Sequence, residues 1–304
     1  MIDNRTLLKL LVIDNLIPKS SYVMRELAWE IGVSPSLLEE LIVELCNNYL
    51  ISINSGQVYW NPADNPSTLK PWGWTMIHRA IAGSTQEMAR GHGPWTIIVA
   101  EYMLLGRGRH GKKWYAHLGG LWTTFKILTD PKTASLMPII IPTILVRIFK
   151  NIYGIDVKIK WPNDIIYNGK KMAGILIEAE AFRDQILVYI GIGINVNNEP
   201  PLPGVTSLKK IKGVLTPRNR LLSQIIGWIS RAHKLAEEPE EIGEQYMSCL
   251  ETLGKEVVIT TYEGAEVRGT ALTVDDSGSL IIETKEGVKK KIDSSTAYEL
   301  RHVE

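Results

Sequence analysis

The sequence predicts an α+β fold in three segments, and three observations predict it. Residues 1–60 carry helical periodicity and then a glycine-turn hairpin, residues 67–253 alternate strand-like and helix-like runs, and residues 254–304 break into short strands with glycine turns. A length of 304 residues suits two or three domains with sizeable cores. With 34 Lys+Arg against 33 Asp+Glu, 22% charged and 45% hydrophobic residues, the composition excludes a disordered chain and a globally basic one. Cys46 and Cys249 are too few and too far apart for a disulfide framework or a paired-thiol metal site, so a reducing, cytoplasmic compartment is expected.

In the first segment, Leu7, Leu8, Leu11 and Val12 are spaced as the buried stripe of a helix. Ser20 or Ser21 is expected to cap a second helix ending at Gly32, because a serine hydroxyl can accept from the orphan amides of a first turn. Ser34-Pro35 opens a third, with the proline at the position where no amide is missed. Leu50–Ile53 and Gln57–Trp60 flank Asn54-Ser55-Gly56 as a hairpin, completing a winged helix-turn-helix pattern. Asn61–Pro71, with three prolines, reads as a linker. Residues 1–66 hold four cations against eight acids. The third helix carries Glu39, Glu40 and Glu44 and no Lys or Arg, which disfavours DNA binding, since cations on phosphates supply most of that affinity.

In the central segment, Ile97–Tyr102, Asp156–Ile159, Ile165–Tyr167, Met172–Glu178 and Ile186–Ile194 are expected strands. Asn168-Gly169 is a tight turn between two of them, which makes the sheet at least partly antiparallel. Thr216-Pro217 starts a helix with Leu221, Leu222, Ile225, Ile226, Ile229 and Ala232 on one face, and a second helix covers about residues 241–253. Leu136–Val146, interrupted by Pro138 and Pro142 and closed by Arg147, is expected to be too short to cross a membrane, and the N-terminus lacks a secretory signal. The last segment offers strands Val257–Thr261, Ala265–Val274, Leu280–Thr284 and Lys289–Ile292, the spacing of a small β-barrel.

Two motifs carry chemistry. Gly106-Arg107-Gly108-Arg109-His110-Gly111 fits the dinucleotide-binding spacing, but the next residues, Lys112-Lys113-Trp114 and then Gly119-Gly120, make a poor helix start, so no Rossmann turn is expected. What remains is a glycine-hinged loop with Arg107, Arg109, Lys112 and Lys113 and an indole at Trp114. Such a loop can clamp an anion and pack a purine. Lys160-Trp161-Pro162-Asn163-Asp164 suits a triphosphate with its Mg²⁺, Lys for phosphate and Asp for hydrated metal; a plain structural turn is the other reading. Ser84-Thr85-Gln86 offers polar groups at a helix start, where capping competes with ligand binding, and Gly191-Ile192-Gly193-Ile194-Asn195 is a strand whose backbone something approaches closely. The six histidines show no metal spacing and no nucleophilic triad is apparent.

Taken in order, Gly83–Gln86, Gly106–Trp114, Gly119-Gly120-Leu121-Trp122, Lys160–Asp164, Lys171-Met172-Ala173-Gly174-Ile175-Leu176 and Gly191–Asn195 resemble the biotin protein ligases, and the N-terminal pattern resembles the bifunctional ligase–repressor subgroup. The resemblance implies a class II synthetase-like catalytic domain over 67–253, a winged domain plus linker over 1–66 and an SH3-like barrel over 254–304. It implies ATP-dependent biotinylation of one lysine on the biotin carboxyl carrier domain of a biotin-dependent carboxylase, through biotinyl-5'-AMP. Arg109 and Lys171 would be catalytic. Biotin would meet Ser84, Thr85, Gln86, Met103, Arg107, Gly108, Arg109, Lys171, Gly174 and Gly193. ATP would meet Arg109, Lys112, Trp114, Lys160, Asn163, Asp164 and Asn195, with Asp164 toward Mg²⁺ through water or phosphate. The resemblance leaves a homodimer open.

Two departures stand out. Met103 occupies the place where the family usually has a Gln bonded to biotin, and Gln86 stands where Asn is common. One lost hydrogen bond to the biotin head costs about 1–3 kcal/mol, or about ten- to a hundredfold in affinity. Lipoate ligation and a biotin-responsive repressor that uses the ligase site as its sensor are the alternatives.

Overall fold

The computed structural model describes residues 2–303. In chain order its helices are α1 (Asn4–Lys19), α2 (Met24–Ile31), α3 (Pro35–Leu45), α4 (Thr85–Arg90), α5 (Pro131–Ile148), α6 (Leu208–Lys212), α7 (Arg218–Ile229), α8 (Ala232–Glu237) and α9 (Pro239–Cys249). Its strands are β1 (Ser21–Val23), β2 (Ile51–Asn54), β3 (Gln57–Trp60), β4 (Thr75–Ala82), β5 (Thr96–Met103), β6 (Leu121–Thr129), β7 (Lys158–Lys160), β8 (Asp164–Tyr167), β9 (Lys170–Phe182), β10 (Gln185–Ile194), β11 (Glu256–Thr261), β12 (Glu266–Val274), β13 (Leu280–Glu283), β14 (Lys289–Ile292) and β15 (Ala297–His302). The chain is thus mixed α and β, as expected.

One compact unit holds residues 1–107, 113–128 and 189–226. In it, α1 starts at Asp3, whose carboxylate accepts from Thr6 N at 2.8 Å. Its buried stripe is Leu10, Val12, Ile13 and Leu16, while Leu7 and Leu11, expected inside, are exposed. The expected cap of the second helix also differs. Ser20 closes α1 in the left-handed region, Ser21 begins β1, and α2 starts after Val23 with no side-chain cap. Pairing with β3 claims Ser21 for the sheet before it can cap anything. Ser34 does cap α3, accepting from Leu37 N at 3.2 Å, with Pro35 at the first turn. Strands β1, β3 and β2 form an antiparallel sheet in that order. The N-terminal helices share one core with Ala80 of β4, with Tyr102 and Leu118 packed on its margin.

The segment read as a linker is embedded rather than loose: Asp64 and Asn65 are completely buried, and Asn65 Nδ2 bonds Ser20 Oγ at 2.9 Å. The central sheet of this unit runs β4-β5-β6 and then the second half of β10. Strands β4 and β5 are parallel, β5 and β6 antiparallel, and α4 fills the connection between the parallel pair.

The other unit holds residues 108–112, 129–188 and 227–304. Its part of the sheet runs from the first half of β10 to β9, β8 and β7, with β9–β8–β7 antiparallel and both Asn168 and Gly169 at positive φ in the expected turn. The apolar run around Leu136 is continuous helix despite two prolines. Asp130 caps α5 through Thr133 N at 2.8 Å, and Thr143 Oγ1 bonds back to Ile139 O at 2.8 Å. Together with the next turn of chain, this helix spans Pro131–Tyr153 and is long and apolar enough to cross a membrane, which corrects the expected length. With 72% of its apolar window buried inside the fold, it serves as the core of the unit. The C-terminal strands form a five-stranded sheet in the order β14-β13-β12-β11-β15, one strand more than the sequence pattern indicates.

Candidate active site

The first unit gathers the acyl-head candidates at the ends of β5 and β6 and the start of α4. Ser84 caps α4, its hydroxyl accepting from Glu87 N at 3.5 Å. Thr85 aims its N–H and its hydroxyl at the Met103 sulfur, at 3.4 and 3.6 Å. The buried Thr124 hydroxyl on β6 lies 2.9 Å from Thr85 Oγ1 and 3.1 Å from Gln86 Oε1, so its single proton serves one of them at a time. Gln86 Nε2 donates to Tyr189 O at 3.2 Å, which fixes the orientation of its amide. Ser84, Thr85, Gln86 and Met103 are therefore neighbours. Thr124, which no sequence motif marks, closes the set. Lys126 caps the other end of α4 through His92 O at 2.5 Å.

Trp114 also lies in this unit. Its backbone N–H donates to Gly106 O at 2.9 Å, and its ring meets Trp122 edge-on at 6.0 Å. The indole lies directly on Gly193, where an added Cβ would sit 2.7 Å from two ring carbons. That close approach explains a glycine inside an apolar strand. Arg107 is paired with Glu87 of α4. Asn195 is buried, its Oδ1 accepting from Asn198 Nδ2 at 2.7 Å and its backbone carbonyl from Leu208 N at 3.0 Å.

The second unit gathers the cations and the Asn-Asp pair. Gly108 N donates to Lys112 O at 2.7 Å, and the residues between form one short turn with His110 at positive φ. This is not the helix a dinucleotide site requires, so the rejection of a Rossmann turn agrees with the fold. Three side chains of the loop reach β15. Arg109 Nη2 donates to Ala297 O at 3.2 Å, His110 Nε2 lies 3.0 Å from the same oxygen, and Lys112 Nζ donates to Tyr298 O at 3.0 Å while sitting 3.9 Å from its ring centre.

Lys160 and Asp164 face each other across the β7–β8 turn. Trp161, which precedes a cis proline, is locked by its backbone N–H to Thr252 Oγ1 at 3.1 Å and by its indole to Gly278 O at 2.9 Å. Asn163 Nδ2 donates to Ile175 O at 2.7 Å, and Ile175 N returns a bond to Asn163 O at 3.0 Å, so its carboxamide shapes the turn. Asp164 opposes Gly174 on β9 and forms an ion pair with Lys171, whose Nζ lies 2.7 Å from its Oδ1. Burial lowers the Arg109 guanidinium from its usual range, against the charges of Asp164 and Asp293, which raise it. The Asp164 carboxylate thus pairs with Lys171 and its charge acts on Arg109. Asp293 and the Ala297 carbonyl, far away in sequence, carried no signal that would have pointed to them. Among the described residues no group of three or more His, Cys, Asp or Glu could hold a metal ion.

Lys171 on Asp164 and the glycine-loop cations Arg109 and Lys112 are charges that can offset those of approaching anions. Such an arrangement suits the binding of anionic groups. Known proteins point the same way. Residues 89–197 match the Biotin/lipoate A/B protein ligase family and residues 252–298 the biotin protein ligase C-terminal domain. The chain is 33% identical over 236 residues to the bifunctional ligase/repressor BirA of Bacillus subtilis, covering 72% of each. It is 29% identical over 204 residues to the biotin–[acetyl-CoA-carboxylase] ligase of Mycobacterium tuberculosis, covering 62% of this chain and 73% of that protein. A biotin protein ligase from Aquifex aeolicus, solved with biotin and ATP, superposes with a TM-score of 0.65 at 30% identity over 75% of this chain and 99% of its own. The chain belongs to the biotin protein ligase family.

Proposed function

We propose that this chain joins biotin to AMP at the expense of ATP and then passes the biotinyl group to one lysine of the biotin carboxyl carrier domain of a biotin-dependent carboxylase. The observation that carries this is the ion pair of Lys171 with Asp164, whose charge also acts on the half-buried Arg109 guanidinium. In the first step a biotin carboxylate oxygen attacks the α-phosphorus, the bond to the β-phosphate oxygen breaks and pyrophosphate leaves. Both reactants are anions, so their approach is opposed until cations offset it. Lys171 exchanges Asp164 for the carboxylate and α-phosphate, while Arg109, held by Ala297 O, stays aimed at the phosphate. In the second step the carrier amine attacks the acyl carbon and AMP departs.

In this reading Thr85, Gln86, Met103 and Ser84 meet the biotin head, Gly174 leaves room for its chain, Gly193 seats the Trp114 indole rather than the biotin chain, and Arg107 turns from Glu87 to the ligand. Trp114 stacks the adenine. Lys112, Lys160 and Asn195 face the nucleotide, Gly108 gives the loop its backbone freedom, and Asn163 holds the turn that presents Asp164. Mg·ATP is the substrate form. Asp164 would hold an Mg²⁺ brought in with the nucleotide, which would offset the charge of the phosphates.

The three segments expected from the sequence, 1–66 as a winged helix-turn-helix, 67–253 as a class II synthetase-like domain and 254–304 as an SH3-like barrel, belong to this proposal, as does a cytoplasmic setting. Incubating a carrier domain with this protein, Mg·ATP and either biotin or lipoate tests it. A mass increase of one biotinyl group supports the reading; lipoyl transfer alone, or no transfer, refutes it.

Three ion pairs bear on a second activity. Arg5 lies 3.2 Å from Glu40, and Lys9 lies 2.9 Å from Glu44, which Arg5 also contacts. Two of the three acids on α3 are therefore neutralised, which weakens the electrostatic case against DNA, and a bifunctional ligase/repressor is among the relatives. A gel shift at low salt with biotin and ATP decides: no shift leaves the ligase activity alone.

A further inference from the structure

A buried charge cluster lies outside the groups assigned to chemistry. Arg218, at the start of α7, is completely buried. Its guanidinium donates from Nε to Asp64 Oδ1 at 3.0 Å, from Nη2 to Asp64 O at 2.8 Å, and from Nη1 to both Glu101 Oε2 at 2.6 Å and Gly120 O at 3.0 Å. Glu101 takes its other bond from His78 Nε2 at 2.7 Å, and Asp64 Oδ2 accepts from the Trp60 indole at 3.0 Å and Leu50 N at 3.1 Å. The Tyr49 ring lies 4.8 Å from the guanidinium carbon, and its hydroxyl oxygen accepts from Gly119 N at 2.9 Å.

The positions of these partners matter more than their number. Glu101 sits on β5 two residues before Met103. Gly119 and Gly120 lead directly into β6, which carries Thr124. The ends of the strands that present the acyl-head groups are therefore tied to Arg218, and through Tyr49, Trp60 and Asp64 to the first 66 residues. A planar five-donor fork is the side chain that can hold two carboxylates and two backbone carbonyls at once.

We propose that Arg218 and Tyr49 are positioning residues for the acyl-head pocket, fixing the β5 and β6 ends through Glu101 and the Gly119-Gly120 backbone. The inference rests on the ligase reading above.

The test uses the full chain and three variants. Tyr49→Phe removes one oxygen and leaves the Gly119 amide without its acceptor. Arg218→Lys keeps the charge and loses the fork. Val43→Ala alters an exposed residue of the same segment as a control. Steady-state biotinyl-AMP synthesis should show the biotin KM rising about tenfold in Tyr49→Phe and further in Arg218→Lys, with kcat and the ATP KM within about twofold of the parent and the control unchanged, as expected for loss of one or several hydrogen bonds. Equal changes in both KM values, an unchanged biotin KM in both variants, or loss of the folded state in Tyr49→Phe would overturn the inference and leave the cluster a scaffold. Absence of any biotinyl-AMP from the parent protein would mark failure of the ligase reading itself, and the inference would fall with it.

Discussion

Replacing Gly193 with Ala tests whether the Trp114 indole has a fixed seat. The new Cβ would stand 2.7 Å from Cε2 and Cζ2 of the ring and 2.9 Å from Nε1, where ordinary contact needs about 3.5 Å or more. The indole would have to retreat by nearly 1 Å, yet Trp122 meets it edge-on and its own backbone is held at Gly106 O. Gly106 itself tolerates no Cβ, which would meet Trp114 O at 2.6 Å. Overpacking of this kind costs about 1–3 kcal/mol. In a chain of this size that lowers the melting temperature by roughly 2–8 °C. If the ring stacks on adenine, the part of that cost borne by the nucleotide complex raises the ATP KM by about ten- to a hundredfold, while the biotin KM stays within about twofold. The assay is pyrophosphate release with each substrate varied in turn, alongside thermal unfolding. An unaltered ATP KM in a protein whose melting temperature has dropped would refute the adenine role while leaving the packing argument intact. A rise in the biotin KM alone would assign the indole to the other substrate.

Lys171→Ala should slow carrier-free formation of biotinyl-AMP by about a hundred- to a thousandfold, the usual size for removing a charge that stabilises a transition state; rapid-quench measurement of pyrophosphate reads it, and a variant impaired only in carrier transfer would contradict the assignment. Arg109→Ala should keep the fold, since the side chain meets only the Ala297 carbonyl and the adjacent His110 ring through hydrogen bonds, but release adenylate to solvent, seen as biotin-dependent ATP hydrolysis without carrier. Burial alone would raise the Glu101 carboxyl, but the Arg218 charge and then His78 outweigh it and bring it to about 2, below the ordinary 4.5. A carboxyl lowered by folding stabilises the protein above its unfolded value and loses that contribution as pH falls. About 3 kcal/mol of stability should therefore vanish between roughly pH 5 and pH 2. Denaturant titrations at several pH values should show this slope in the parent and a shallower one in Glu101→Gln; equal slopes would refute it.

How far the sequence could be read depended on the range of the interaction that decides each element. Ser34-Pro35 and Asn168-Gly169 act within three or four residues, and both appear where their local chemistry puts them. Ser20 and Ser21 did not cap α2 because β3, nearly 40 positions on, claims Ser21. The prolines of α5 suggested a broken run, but a buried helix can keep them when its remaining surface is packed on all sides. The glycine-rich and Lys-Trp-Pro-Asn-Asp motifs were visible because adjacent residues carry their chemistry. Thr124, Asp293 and the Ala297 carbonyl were not, since each meets its neighbours only through the fold. The Arg218 cluster was equally hidden: Asp64, His78, Glu101 and Arg218 come from separate elements with no spacing to announce them.

The proposed ligation turns on a carboxylate and an α-phosphate being joined between Arg109 and Lys171. Mass analysis of the protein with its non-covalently bound ligand, after incubation with biotin and Mg·ATP and no carrier, reads this most directly. The expected result is biotinyl-5'-AMP on the protein and pyrophosphate released in equal amount; ADP with inorganic phosphate, or pyrophosphate release that does not require biotin, would contradict it.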